Sequence, residues 1–289
     1  MSDRALYLHA GAHRTGTSSF QMCLHDNRGM LEQAGWAVAY PGRDGIPSGT
    51  LALRLPGPRD EDLATPTRKV ARTLSDHSAG RNMILSEENI PGRMMHFMQG
   101  LFYPAAQARA QVMRDAWPGT IAHVVLVVRS YGQLFASGYR KRAEDNAVPP
   151  FDTLRPNYMR MDRGWPELVA VLRDTLRPQQ MTVLPYEKRG TSAALLARLV
   201  PGLPRGALVE PARDVNVSAT DAALEALQAR YHAGDKLDRA TWKAVIETHG
   251  TDRDPRGFAT FSDEEERVWQ QRYYADLSRL AAMDGIVLG

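Results

Sequence analysis

The residues of this chain best suited to chemistry lie near its start, in Gly11-Ala12-His13-Arg14-Thr15-Gly16-Thr17-Ser18-Ser19. An apolar run from Ala5 to Leu8 precedes them and a helix-compatible stretch follows, so the segment reads as strand, loop and helix. Backbone N–H groups of such a loop, with the helix N-terminus behind them, converge on one point and suit a phosphate-like anion. The spacing from Gly11 to Gly16 is that of the Walker A loop, G-x-x-x-x-G-K-[ST]. Thr17 stands where a nucleotide triphosphatase carries its lysine, and a cation is found inside the loop instead, as Arg14. A phosphate cradle with its cation displaced argues against an ATP site of the Walker type.

A second segment supports this reading. Residues Ile121 to Val128 form a nearly unbroken apolar, β-branched run, the pattern of a buried parallel strand. The run ends at Arg129, and Ser130 is placed to cap a helix that carries Ser137 about two turns along. Arg129 and Ser137 are therefore candidates to grip a second phosphate. A kinase or ATPase would place an acid near such a strand tip to hold magnesium; here the tip carries a cation. Two acids, Glu87 and Glu88, follow another short apolar run, Met83-Ile84-Leu85-Ser86.

Together these segments resemble the sulfotransferase family. Its 5′-phosphosulfate loop, K-[TS]-G-T-[TS]-x-L, is matched by Arg14-Thr15-Gly16-Thr17-Ser18-Ser19-Phe20, with Arg for Lys and Phe for Leu. Its 3′-phosphate element, an arginine followed eight residues later by a serine, is matched by Arg129 and Ser137. Weaker landmarks follow in family order. Ser86-Glu87-Glu88-Asn89 resembles a strand-end S-S-E-N, Tyr186-Glu187 a strand followed by Y-E, and Asn216-Val217-Ser218 an N-x-S stretch after the core.

The resemblance implies a P-loop-like, three-layer αβα fold with a central parallel sheet and a helical C-terminal extension. It also implies a donor, 3′-phosphoadenosine-5′-phosphosulfate (PAPS), leaving adenosine 3′,5′-bisphosphate (PAP) as product, with no metal. In that reading His13, Arg14, Thr15, Gly16, Thr17 and Ser18 hold the 5′-phosphosulfate, Arg14 balances charge on the leaving oxygen, and Arg129 and Ser137 take the 3′-phosphate. Glu88 is favoured as the base for the acceptor hydroxyl or amine, with Glu87 close behind. The acceptor is a small molecule, a lipid or a carbohydrate, or a peptide tyrosine. The competing readings are a P-loop small-molecule kinase, which Thr17 and Arg129 argue against, and a non-catalytic nucleotide-binding relative.

The elements that must position these residues are legible in outline. With 289 residues, 43% of them hydrophobic, the chain can bury a sizeable core. One α/β domain over 1–289 is expected, with its core at about 5–218 and helices at about 219–232, 236–248 and 262–282. Strands are expected at 36–40, 82–85 and 181–184 beside the two already described, and a loop at 146–156. Alternating strands and helices argue a parallel sheet, with the ligand crevice beyond the carboxyl ends of its strands.

A net charge of +3 does not call for a nucleic-acid partner. No apolar stretch reaches the ~18 residues of a membrane span, and a cytoplasmic protein is expected. The single Cys23 is expected in the core, His9 as a structural histidine, and Met94, Met95 and Met98 either in the core or lining an acceptor pocket. The run Asp263 to Glu266 reads as an acidic first helical turn.

Overall fold

The computed structural model describes residues 4–42, 46–212 and 218–289. The elements run β1 (Ala5–His9), α1 (Thr17–Asp26), α2 (Arg28–Gln33), β2 (Ala37–Ala39), α3 (Ala64–Ser78), β3 (Met83–Ser86), α4 (Ala106–Ala116), β4 (Thr120–Val128), α5 (Tyr131–Asp145), α6 (Phe151–Met159), α7 (Trp165–Leu176), β5 (Gln180–Pro185), α8 (Ser192–Leu199), α9 (Asp221–His232), α10 (Arg239–Thr248), α11 (Asp263–Ala281) and β6 (Ile286–Leu288). All six strands join one parallel sheet in the order β2-β3-β1-β4-β5-β6. The chain leaves β1 toward β2 and β3 on one side and then crosses to β4, β5 and β6 on the other. Connections diverge at the carboxyl end of β1, which is the switch point where ligands bind in open parallel sheets.

The period-2 alternation of a strand decides which side chain meets which layer of helices. Val124, Leu126 and Val128 of β4 join Met83 and Leu85 of β3 in one core with residues of α3, α4 and α7. Val125 and Val127, with Ile84, join a second core under α1, α2 and α8. Helices thus cover both faces of the sheet. That is why β4 reads as a continuous apolar run instead of an alternating one.

Three sequence expectations need correction. The helix-compatible stretch after the loop does not form one helix; it is broken at Asn27, whose side-chain amide donates to the Cys23 carbonyl at 2.8 Å and to Val209 O at 2.8 Å. Residues 146–156, expected as a loop, include the start of α6. Phe151, Leu154 and Tyr158 lie on one face of that helix and are buried, although Pro156 withdraws one N–H from its ladder. The stretch expected to be purely helical beyond residue 218 also returns to the sheet, where β6 pairs in parallel with Met181 to Val183 of β5. A three-residue strand gives no period to read, so only its partner defines it. The acidic turn behaves as expected, with Ser262 and Glu265 forming a reciprocal capping box at the start of α11.

Helices α5, α7 and α11 are pinned together by one polar contact inside an aromatic cluster. The Tyr131 hydroxyl donates to the Asp276 carboxylate and accepts the Trp165 backbone N–H at 2.7 Å. Tyr131 and Trp165 are fully buried, and Phe102, Phe135 and Trp269 ring them. Replacing Tyr131 by Phe leaves a buried N–H and a buried carboxylate oxygen short of a partner. Chemical denaturation should show Tyr131→Phe destabilised by about 2 kcal/mol; a loss under about 0.5 kcal/mol would mean the contact holds nothing together.

Candidate functional site

The site is built where β1 stops. Ala10 N–H reaches Val125 O at 3.0 Å and Glu87 N–H reaches His9 O at 3.2 Å, so β1 is held between its neighbours to its last residue. The loop then turns tightly over residues 11–16. A Cβ on Gly11 would lie 2.5 Å from Thr17 Oγ1 and 2.9 Å from His9 Cε1, so the turn closes only around glycine. Thr15 and Thr17 both donate their hydroxyls to the Ala12 carbonyl, at 2.7 and 3.2 Å. The Thr17 hydroxyl, expected on a phosphate, is thus engaged within the loop itself.

Gly16 caps α1 with φ of +87°, and the first helical bond is Phe20 N–H to Gly16 O at 3.1 Å. Backbone N–H groups of the preceding turn therefore lie ahead of the helical ladder, the arrangement that attracts anions. Ser18 stands in that turn, half-buried. Arg14 also takes a left-handed conformation, φ +63°, which is uncommon outside glycine. Its carbonyl accepts from Arg129 Nη1 at 2.9 Å. The strand-tip arginine therefore buttresses the loop across 115 residues of chain.

Arg14 and Ser137, found separately in the sequence, meet directly. Arg14 Nε donates to Ser137 Oγ at 2.8 Å, and Arg14 Nη2 to Ser218 Oγ at 3.1 Å. Asn216, singled out with Ser218, lies outside the described residues. Ser130 begins α5 in cap position but makes no side-chain cap bond. The Arg129 backbone is fixed in turn, since its carbonyl accepts the Trp165 indole N–H at 2.8 Å.

Sequence reasoning missed Arg189 and gave Tyr186 only a supporting role. The guanidinium of Arg129 lies over the Tyr186 ring at 4.7 Å, and that of Arg189 lies over the same ring at 5.0 Å. Arg189 also stands against the loop, with Cζ and Nη1 each 2.9 Å from where a Cβ on Gly16 would sit. Its only advance signal was position, three residues after the tyrosine that follows β5. Burial lowers the affinity of Arg129 for its proton, and repulsion from Arg14 and Arg189 adds to that while Tyr186 opposes it. Three guanidiniums thus gather around the turn between β1 and α1, Arg189 against Gly16, Arg129 on the Arg14 carbonyl and Arg14 turned toward α5, and among the described residues none of the three is hydrogen-bonded or ion-paired to a carboxylate.

The two candidate acids are placed differently. Glu87 is buried, and its Oε1 accepts both the backbone N–H and the side-chain amide of Asn89 at 2.8 Å, a turn-forming role. Glu88 is partly exposed and stands with Oε1 3.5 Å from His13 Nε2. His9 is sealed in, bonded to Ser86 Oγ at 2.9 Å and packed on Phe20. Cys23 is buried, and its thiol is pushed up to about 12 by that burial and by Glu210 and Asp26, so it is no nucleophile at neutral pH. Met94 and Met98 pack against the core, and Met95 is exposed.

Elsewhere, a groove of about 850 Å³ runs along the opposite edge of the sheet, past Arg114, Asp115, Thr120, Asp174 and Arg177. Its charges alternate in sign, so it gathers no comparable field. No helix among the described residues is long and apolar enough to cross a membrane. No protein-family model matches the chain, and no curated protein matches it in sequence.

His9 makes the site sensitive to acid. Burial, and then the nearby Arg189 charge, lower its pKa from 6.5 to about 3. Between those values the unfolded chain binds the extra proton, so folding stability declines as pH falls through that window. The His9 contribution to this slope approaches about 1.4 kcal/mol per pH unit. Denaturant titrations from pH 7 to 4 should show a shallower decline for His9→Asn than for the unsubstituted chain; parallel curves would remove His9 as the cause.

Proposed function

We propose that this protein is a sulfotransferase that moves a sulfuryl group from PAPS to a hydroxyl or amine of an acceptor. The observation that carries the proposal is the gathering of Arg14, Arg129 and Arg189 around the turn between β1 and α1 without carboxylate partners among the described residues. Such a cluster suits a ligand with more than one anionic group. A helix N-terminus already favours negative charge by a fraction of an elementary charge, and three guanidiniums extend that preference over a wider span. The glycines support the same reading, because the turn closes only around Gly11 and because Gly16, lacking a side chain, lets the Arg189 guanidinium pack against the start of α1.

The residues present fit the donor. The loop from His13 to Ser18 would hold its 5′-phosphosulfate, and Arg129, Ser137 and Ser218 would hold its 3′-phosphate. The donor supplies an activated sulfuryl group whose S–O bond to the 5′-phosphate breaks as the acceptor O–S or N–S bond forms. The bonding pair remains on the phosphate oxygen, so positive charge fixed beside the loop lowers the barrier without reorganising. Glu88 is the group suited to take the acceptor proton, as it is partly exposed beside the loop and close to His13. The strand order, with the loop following the central β1, also supports a P-loop-like identity for the fold.

Calorimetric titration with PAP and with ATP, each in magnesium and in EDTA, tests the reading. Metal-independent binding of PAP in preference to ATP is expected, with Arg129→Ala weakening it about tenfold or more. A magnesium-dependent preference for ATP would place the protein among kinases. Once an acceptor is known, Glu88→Ala should lower kcat at least a hundredfold with PAP affinity retained; unchanged turnover would remove Glu88 as the base.

A further inference from the structure

The cation found in the loop by sequence does not face the loop. Arg14 turns away through its left-handed backbone, and its guanidinium is bonded to Ser137 on α5 and to Ser218 ahead of α9. The guanidinium that does lie on the loop belongs to Arg189, which touches Gly16 at the first turn of α1. We propose that Arg189, rather than Arg14, is the residue that takes the charge developing on the 5′-phosphate, and that Arg14 belongs with Ser137 and Ser218 to the site for the second phosphate. This rests on the sulfotransferase reading and assigns a catalytic residue within it.

The physical case is one of uncompensated charge. A helix N-terminus repels cations, since its N–H groups already sum to about half a positive charge. Arg189 nonetheless stands there, half-buried, close enough to Arg129 to share the Tyr186 ring. Among the described residues its side chain makes no hydrogen bond and no ion pair; the tyrosine face is what steadies it. A cation–π contact at a half-exposed site is worth only about 1 kcal/mol, a small return for placing like charges together. An anion bound at the start of α1 attracts both the guanidiniums and the helix N–H groups, and so offsets their mutual repulsion. In the transfer, the electron pair of the breaking S–O bond comes to rest on the 5′-phosphate oxygen and the acceptor proton passes to Glu88. The site of greatest charge gain is then the phosphate held at Gly16 and Thr17, where the Arg189 fork already lies. Arg14, fixed by two serines drawn from elements far along the chain, is instead ready for a terminal phosphate on the α5 side.

The two regioisomers of adenosine monophosphate separate these roles without any need for turnover. Affinities of the full chain for adenosine 5′-monophosphate, adenosine 3′-monophosphate, PAP and inorganic pyrophosphate would be measured by calorimetry, using competition for the weaker ligands. Arg189→Ala should weaken the 5′-isomer about tenfold or more and change the 3′-isomer less than about twofold. Arg14→Ala should do the reverse. Arg189→Lys should recover part of the 5′-isomer affinity, and Arg189→Gln keeps the test open if the alanine variant folds poorly. Without ligand, Arg189→Ala should melt no lower than the unsubstituted chain, since it removes a cation from a cationic region.

The assignment is overturned if Arg189→Ala leaves the 5′-isomer unaffected, or weakens both isomers equally, while PAP still binds the unsubstituted protein. That result would leave the sulfotransferase reading standing. If PAP does not bind but pyrophosphate does, in a manner lost with Arg189, the anion contact survives and the donor reading falls. Binding of neither ligand to the unsubstituted protein defeats both.

Discussion

One hydrogen bond, from the Arg129 guanidinium to the Arg14 carbonyl, couples the end of the central strand β4 to the turn after β1. The bond holds Arg14 in a backbone conformation that a residue with a side chain adopts at a cost. With Arg14 left-handed, its own guanidinium swings to Ser137 and Ser218, and the space over Gly16 is left to Arg189. The positions of three cations at the carboxyl edge of the sheet follow from that coupling. A change at Arg129 therefore alters both the charge and the shape of the loop.

Arg129 is itself held from below. Its carbonyl accepts the Trp165 indole, and the Trp165 backbone N–H is bonded to Tyr131, whose hydroxyl also reaches Asp276 on α11. A chain of directed bonds inside an aromatic cluster thus runs from the last long helix to the site. Stacked and edge-on rings pack without many alternative arrangements, so the cluster is a stiff support for a residue that must be placed accurately. The C-terminal helices contribute to the site through this support as well as through Ser218, and the sheet edge formed by β6 ties them to the same layer.

Burial divides the acids and histidines near the site into supporting and available groups. Glu87 is drawn inward to close the Asn89 turn, and His9 is sealed under the loop, held neutral by burial and by the Arg189 charge. Glu88 keeps partial exposure and stands beside the buried His13. Adjacent residues in a chain leave a strand end in opposite directions, which is why two neighbouring glutamates serve such different ends.

The sequence alone determined the strand–loop–helix start, the parallel sheet and the pairing of the loop with Arg129 and Ser137. These depend on local signals: glycine spacing, a β-branched apolar run, and a cation at the end of that run. It left open which of Glu87 and Glu88 turns outward, did not separate α1 from α2 at Asn27, and concealed α6 and β6 altogether. It also assigned the loop charge to Arg14, the nearest arginine in the chain. Which guanidinium lies on Gly16 was decided by tertiary structure, because Arg189 arrives from beyond β5 and carries no pattern of its own. A hydrogen bond from 115 residues away set the backbone angle that turns Arg14 aside. Local spacing records where a chain can bind an anion; which distant side chains balance its charge is fixed only when the sheet brings the strand ends together.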